Sequence, residues 1–244
     1  MAADRPTILA TSGGLRRGTR TDVEFAPLVD HALALSGVTG RRPVLSVVLT
    51  AGGDQAHWKA FLVGAGQAAG ITVTFLDLFP MPTTADPAGL LGDADAVWVG
   101  GGSVANLLVL WRLHGIDVAM RQVWEEGVVL AGVSAGSVCW HAGGTTDSFG
   151  PELRPVTDGL GLVPYANGVH YDSEPGRRPL LHRLVADGTL PDAYATDDGV
   201  GLVYDRTRLV EAVTETRGRA AWSVVARDGA AHEERIEPRV LPGA

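Results

Sequence analysis

The apolar positions of this chain fall in short blocks, most of them closed by glycine or a small polar residue. Thr7–Thr11 (TILAT) ends in Ser12-Gly13-Gly14. Pro43–Ala51 (PVLSVVLTA) closes on Gly52-Gly53-Asp54, and Ile71–Leu78 (ITVTFLDL) is β-branched and alternating in its first half. Ala96–Val99 runs into Gly100-Gly101-Gly102-Ser103, and Val128–Ala131 runs into Gly132. Runs of this length between turn residues predict strands. Between them the apolar period lengthens. Asp22–Leu35, with Leu28, Val29, Ala32 and Leu33 among its apolar positions, predicts an amphipathic helix. Asp54 is placed to cap a second helix reaching about Ala69; Val104–Leu113 predicts a strongly apolar helix and Ile116–Glu126 another. Alternation of strands and helices predicts an α/β fold, a mostly parallel sheet with helices on both faces.

After Trp140 the pattern changes. Thr145–Gly150 reads as a polar loop, Leu160–Tyr165 as a short apolar piece, and Gly168–Pro179 (GVHYDSEPGRRP) as a second polar concentration. Leu180–Ala186 predicts a short helix. Ala193–Asp198 and Gly199–Tyr204 predict two short strands about a turn, Leu209–Val213 and Ala220–Ala226 further strands, and Arg235–Ala244 a peripheral strand or loose end. The 32 glycines and 14 prolines are scattered and form no linker or repeat, so residues 1–244 read as a single α/β domain.

Composition narrows the partners. With 45% hydrophobic residues over 244 positions the chain can bury a sizeable core. The net charge is −8, Lys59 is the only lysine, and the arginines cluster no further than pairs such as Arg16-Arg17, Arg41-Arg42 and Arg177-Arg178. An acidic chain without a basic stripe argues against nucleic acid as a partner. Cys139, the only cysteine, rules out an intramolecular disulfide and a cysteine-based zinc site. No cationic segment followed by a long apolar one opens the sequence, and no apolar run reaches membrane-spanning length. The expectation is a soluble cytoplasmic protein, monomer or homodimer, with no membrane partner.

The chemistry concentrates in Gly132-Val133-Ser134-Ala135-Gly136, a G-x-S-x-G directly after an apolar run. A serine in a sharp strand-to-helix turn exposes its hydroxyl, and the next backbone N–H is free to hold an oxyanion. The same pentapeptide also fits a glycine-rich turn with an ordinary serine. In a parallel sheet the ligand crevice lies beyond the carboxyl ends of the strands. The Gly100–Ser103 turn falls at another such end, so Gly101 or Gly102 can donate toward Ser134 while Ser103 caps the following helix. A serine nucleophile needs a base, and the base an orienting acid. Of the seven histidines, His170 stands out in a polar loop with Tyr171, Asp172 and Glu174. His31, His57 and His182 fall in predicted helices, His114 at a helix end, His232 in the tail, and His141 beyond the Ser134 turn. The acid stays open among Asp147, Asp172, Glu174, Asp197 and Asp198, each of which also suits a turn aspartate or surface carboxylate.

Taken together, Gly101-Gly102-Ser103, Asn106-Leu107-Leu108, Ser134-Ala135-Gly136-Ser137 and His170-Tyr171 resemble the peptidase E family. The likeness runs from about Thr7 to Tyr204. That family comprises serine peptidases on a fold like the class I glutamine amidotransferases, and includes aspartyl dipeptidases and cyanophycinase. The resemblance implies Ser134 as nucleophile on a nucleophile elbow, His170 as base, and Asp147 or Asp198 as the acid. It implies an oxyanion hole from the N–H of Ala135 and of Gly101 or Gly102. Ser103, Asn106 and Arg178 are the positions implied to bind substrate, a dipeptide or short peptide with an acidic N-terminal residue. Where aspartyl dipeptidases carry glutamate-threonine-arginine after the histidine, this chain reads Gly176-Arg177-Arg178, with Arg178 in step by spacing; a simpler role for both arginines is pairing with Asp172 and Glu174. No metal or cofactor is called for. Two other readings compete: an α/β-hydrolase-type esterase, which would need His232 with Asp197, Asp198 or Asp205, and a non-catalytic ligand-binding protein on the same fold. A glutamine amidotransferase is disfavoured, because the elbow carries Ser134 and Cys139 lies one turn deeper.

Overall fold

The structure, a computed structural model, describes residues 3–19 and 21–244. The first part of the chain runs through β1 (Thr7–Thr11), β2 (Leu15–Arg17), β3 (Val23–Phe25), α1 (Pro27–Leu35), β4 (Val44–Val48), α2 (Ala56–Ala69), β5 (Thr72–Phe75), α3 (Pro87–Gly92), β6 (Ala96–Val99), α4 (Val104–His114), α5 (Ile116–Glu125) and β7 (Val129–Val133). The second part adds α6 (Ala135–Val138), β8 (His141–Thr146), β9 (Arg154–Val156), β10 (Val163–Gly168), α7 (Arg177–Ala186), β11 (Ala193–Thr196), β12 (Val200–Asp205), β13 (Arg208–Thr214), β14 (Ala221–Arg227), β15 (Ala230–Ile236) and β16 (Arg239–Val240).

The fold is mixed α/β. The larger sheet has the order β16-β13-β12-β1-β7-β6-β4-β5. From β1 to β5 every neighbouring pair is parallel, while β12 runs antiparallel to both β1 and β13. Side chains alternate between its two faces, and each face is covered. Ile8, Ala10, Val97, Val99 and Leu130 share one apolar cluster with Leu107, Leu108 and Trp111 of α4 and Met120 and Val123 of α5. Leu9, Ala96, Trp98, Val129 and Ala131 share another with Leu28, Val29 and Leu33 of α1 and Leu62 and Ala65 of α2. One-residue alternation on strands with helices on both sides is what a doubly covered parallel sheet requires.

The second part of the chain departs from the expected single sheet. It builds a second sheet, β15-β14-β11-β10-β8-β9, with β8, β10 and β11 parallel and the rest antiparallel. The apolar cluster of α4 and α5 continues into this sheet through Val156, Val163 and Ala221. β8 covers part of what reads as a polar loop, because HAGGTT lacks large apolar residues. Its glycines serve close backbone approach: a β-carbon at Gly143 would strike the Val156 carbonyl and one at Gly144 the Asn167 carbonyl.

Three local expectations change near the amino end. Val23–Phe25 pairs with Leu15–Arg17 as a hairpin and does not begin a helix; α1 starts at Pro27, which is tolerated in the first turn but not inside a helix. Asp54 does not cap α2. Its Oδ2 instead accepts the backbone N–H groups of Leu78 (2.6 Å) and Phe79 (3.0 Å), tying the β4–α2 turn to the chain after β5. Burial raises its carboxyl above the usual range. α7 begins at Arg177, three residues before the apolar pattern.

Candidate active site

Ser134 sits between β7 and the short helix α6 with φ 57° and ψ −113°, a backbone conformation that non-glycine residues rarely adopt. Its own N–H donates to the Thr11 carbonyl at the end of β1 (3.1 Å), and its carbonyl accepts from the N–H of Ser137 (2.8 Å) and Val138 (2.9 Å). The turn closes tightly only because its flanks are glycine: a β-carbon at Gly132 would meet the Gly136 carbonyl, and one at Gly136 the Val99 carbonyl. Gly101, after β6, lies against the serine; a β-carbon there would be 3.3 Å from the Ser134 Cβ and 3.9 Å from its Oγ. Gly102 has φ 135° and packs on the Ala51 carbonyl, so this position requires glycine, while Gly101 leaves the serine close but not clashing. The N–H of Ala135, first in α6, follows the serine directly.

His170 follows β10 and is also held at positive φ (53°). Its N–H donates to Ser12 Oγ (3.1 Å), whose hydroxyl shares a 2.7 Å hydrogen bond with Thr196 Oγ1. The backbones of Ser134 and His170 are therefore fastened to consecutive residues, Thr11 and Ser12, at the carboxyl end of β1. His170 Nδ1 lies 2.6 Å from Asp198 Oδ1, with the imidazole largely buried and the carboxylate partly open to solvent. Asp198 is placed by the loop after β11: its N–H donates to Asp172 Oδ1 (2.8 Å), and Asp172 is ion-paired with Arg219. The next residue, Gly199, donates its N–H to the Ser12 carbonyl (2.8 Å), so the loop carrying the acid is pinned to the same turn.

Other sequence candidates fall elsewhere. Asp147 occupies an exposed turn, its carbonyl accepting from the Gly150 N–H, while the acid on His170 Nδ1 is Asp198. Ser103 spends its Oγ capping α4, accepting the Asn106 N–H (3.2 Å), and Asn106 itself is exposed on the first turn of that helix. Arg178 is not turned to a free carboxylate. Its guanidinium stacks over Trp222 (4.3 Å) and Tyr171 (4.8 Å) and pairs with Glu233 (3.2 Å), because α7 packs on β14 and β15. Arg177 is buried, bonded to Glu174 (2.8 Å) and the Thr145 carbonyl (2.6 Å). The expected pairing of the arginines thus holds for Arg177 with Glu174, while Asp172 goes to Arg219. His141 does not lie down a long helix; it opens β8, fully buried, its Nδ1 2.9 Å from the Ser137 carbonyl and Nε2 3.2 Å from the Tyr204 hydroxyl. Burial lowers its pKa from 6.5 to about 4. His232 is exposed on β15, and Cys139 is buried with its thiol pushed up by desolvation.

Two supporting residues escape the sequence reading. Ser12 is buried and bonds to His170, and Glu215 bonds through its two carboxylate oxygens to the N–H of Gly14 (2.8 Å) and Leu28 (3.0 Å), bracing the turn from behind. The signal for Ser12 was present: Ser12-Gly13-Gly14 closes a buried strand as Gly100–Ser103 closes another. Nothing in sequence singles out Glu215.

On the other side of Ser134 a cavity of about 290 Å³ opens between the ends of β4 and β6 and helix α2. Leu15, Leu49, Trp58, Leu62, Trp98 and Val133 line it together with Gln55 and the backbone of Gly52, Gly100 and Gly101. Among the described residues, no group of three or more His, Cys, Asp or Glu side chains is disposed to hold a metal ion, and no helix is long and apolar enough to cross a membrane.

Known proteins match this chain over most of its length. The family model for peptidase family S51 matches residues 43–211. YgaJ of Bacillus subtilis, an uncharacterized peptidase, is 36% identical over 184 residues, covering 75% of this chain and 79% of its own. Peptidase E of Streptomyces coelicolor is 34% identical over 148 residues, 59% of each chain. The crystal structure of a peptidase from an acI-B1 actinobacterium is similar in fold, with a TM-score of 0.65 at 16% identity, covering 98% of this chain and 95% of that one.

Proposed function

The chain belongs to peptidase family S51, the peptidase E family, and is a serine peptidase; on that premise we propose that it cleaves short peptides, dipeptides among them, through Ser134, His170 and Asp198. The turn at Ser134 is read as a nucleophile elbow and the whole as a class I glutamine amidotransferase-like fold. The observation that carries the triad is the 2.6 Å contact between His170 Nδ1 and Asp198 Oδ1, on a histidine whose backbone hangs beside that of Ser134. With the Nδ1 proton held by Asp198, Nε2 keeps its lone pair to accept the Ser134 proton. Ser134 Oγ attacks the peptide carbonyl, and the N–H groups of Ala135 and of Gly101 or Gly102 take the oxyanion. The imidazolium, stabilised by Asp198, passes its proton to the leaving amine. Water then enters by the same route in reverse and frees the acyl group.

Two expectations shift. Asp198 has the geometric support that Asp147, in its exposed turn, lacks. With Arg178 engaged by Glu233 and two rings, support for an acidic N-terminal residue falls away. The test is a fluorophosphonate probe followed by peptide mapping, beside hydrolysis of a dipeptide panel. Ser134 is the expected site of the adduct, and Ser134→Ala is expected to lose both adduct and activity while keeping its thermal transition. A Ser134→Ala protein that hydrolyses dipeptides at the native rate overturns the reading.

A further inference from the structure

The cavity beside Gly101 has a chemistry of its own. Its side-chain walls carry no formal charge: Leu15, Leu49, Leu62 and Val133 are hydrocarbon, Trp58 and Trp98 add indoles, of which the Trp98 N–H is a buried neutral donor without a partner among the described residues, and the amide of Gln55 already donates to the Gly52 carbonyl (2.9 Å). Two of the cations adjacent in sequence are engaged, Lys59 with Asp77 (2.8 Å) and Arg16 with Glu24 (3.5 Å). The volume, about 290 Å³, lies at the lower end of the range of small-molecule sites, the scale of one large side chain and not of a whole extended ligand. Leu62 and Trp98 form closed walls at 1% and 2% exposure, whereas Trp58 stands 39% exposed and is braced edge-on by Phe61 (5.9 Å). A tryptophan kept half in solvent by an aromatic neighbour gives the cavity an apolar surface that a ligand can still cover.

Its position says which part of a substrate it meets. The strand bearing Ser134, β7, has β1 on one side and β6 on the other. His170 is fastened to Ser12, after β1; the cavity lies at the ends of β6 and β4. A base that protonates the leaving amine must stand on the leaving-group side of the nucleophile. The acyl side of the peptide then faces the opposite flank, which is the cavity.

We propose that this cavity is the subsite for the side chain of the residue whose carbonyl Ser134 attacks, and that it takes a neutral apolar side chain, aliphatic or aromatic, in preference to a carboxylate. The proposal rests on Ser134 being the nucleophile. A carboxylate placed there would lose its water with no cation in the walls to replace it, whereas Leu or Phe covers the open face of the Trp58 indole.

The test measures kcat/KM for Phe-Leu, Leu-Leu, Ala-Leu and Asp-Leu, with fluorophosphonate labelling of Ser134 run on the same preparations. Phe-Leu or Leu-Leu is expected to exceed Asp-Leu by at least about 30-fold. Trp58→Ala is expected to shrink the Phe-Leu to Ala-Leu ratio by at least about fivefold, and Gln55→Arg, a change at an exposed rim position, to raise Asp-Leu relative to Phe-Leu by at least about tenfold. Labelling of Ser134 without a lead for Phe-Leu or Leu-Leu over Asp-Leu overturns the subsite and leaves the Ser134 reading standing. A folded Trp58→Ala protein with an unchanged ratio overturns it as well. Absence of both labelling and hydrolysis overturns the subsite and the reading beneath it.

Discussion

Replacing Asp198 by asparagine removes the charge that faces His170 Nδ1 and leaves the side chain's size intact. The bond is short, 2.6 Å, on an imidazole 23% exposed and a carboxylate 41% exposed. A charge-assisted hydrogen bond contributes about 1.5–3 kcal/mol, and 1.36 kcal/mol is a factor of ten in rate, so loss of imidazolium stabilisation alone slows kcat about 10- to 150-fold. The carboxylate's exposure pulls this term toward the lower figure through solvent screening. A second term acts with it. An asparagine amide can present N–H to Nδ1, which moves the histidine proton to Nε2 and leaves no base facing the serine. Together they set the expected fall in kcat at about 10²–10³-fold, with KM nearly unchanged because the interaction strengthens in the transition state. Steady-state kinetics on the best dipeptide measure it, with Asp147→Asn as the companion, expected within about threefold of native from its exposed turn. Equal losses in both variants, or a native-like Asp198→Asn enzyme, refute the assignment of the acid.

Ser134→Gly relieves the strain of a non-glycine residue at φ 57°, ψ −113° and is expected to raise the unfolding free energy by about 1 kcal/mol while abolishing activity; Ser134→Ala keeps the strain, and a denaturant titration separates the two. Ser12→Ala strips the acceptor from the part-buried His170 N–H, so stability is expected to fall about 1 kcal/mol and kcat to fall more than KM rises. His141, neutral and buried with a pKa near 4 against 6.5, binds its proton in the unfolded chain before the folded one. Its contribution to stability is therefore complete above pH 6.5 and lost as pH falls toward 4, about 3 kcal/mol in all; urea midpoints across that window are expected to shift less in His141→Gln.

The parallel half of the fold is plain in the sequence because its strands are short apolar runs, those of β1, β4, β6 and β7 closing on or near glycine: β1 and β6 lie where those runs stand, and β4 and β5 lie inside theirs. The second sheet is legible only in part: β11 and β14 overlap runs that read as strands, Ala193–Asp198 and Ala220–Ala226, while the strands beside them are hidden. β8 and β10 carry Gly143, Gly144, Asn167 and Gly168 where strands usually carry branched residues, and their stability comes from neighbouring backbones that no local pattern reveals. The same blindness applies to the acid. His170 and Asp198 are 28 residues apart and meet only because β10 and β11 pair in parallel, which puts the loops after both strands at one edge. Without that pairing, Asp147 and Asp198 look alike. Arg178 is in step with a substrate-binding arginine by spacing, but spacing cannot anticipate Trp222 and Glu233, more than forty residues on, taking its guanidinium.

The turn after β1 explains how the two sheets act at one point. Thr11 takes the N–H of Ser134 from the larger sheet, Ser12 takes the N–H of His170 from the smaller one, and Gly199 beside Asp198 donates back to the Ser12 carbonyl. In the proposed triad, proton transfer thus falls on the β1 flank of Ser134, through part-buried contacts of His170 with Ser12 and Asp198. Side-chain recognition, on the β6 flank, is carried by a cavity wall that includes the half-exposed Trp58 and the rim residue Gln55, and none of the hydrogen bonds that fix His170 passes through it. Sites separated in this way respond independently to substitution. Changes at Trp58 or Gln55 should therefore redirect which peptides are cleaved while the fold-loss in kcat caused by Asp198→Asn stays the same in either background; a variant that moves both at once would mean the two flanks are coupled through Ser134 itself.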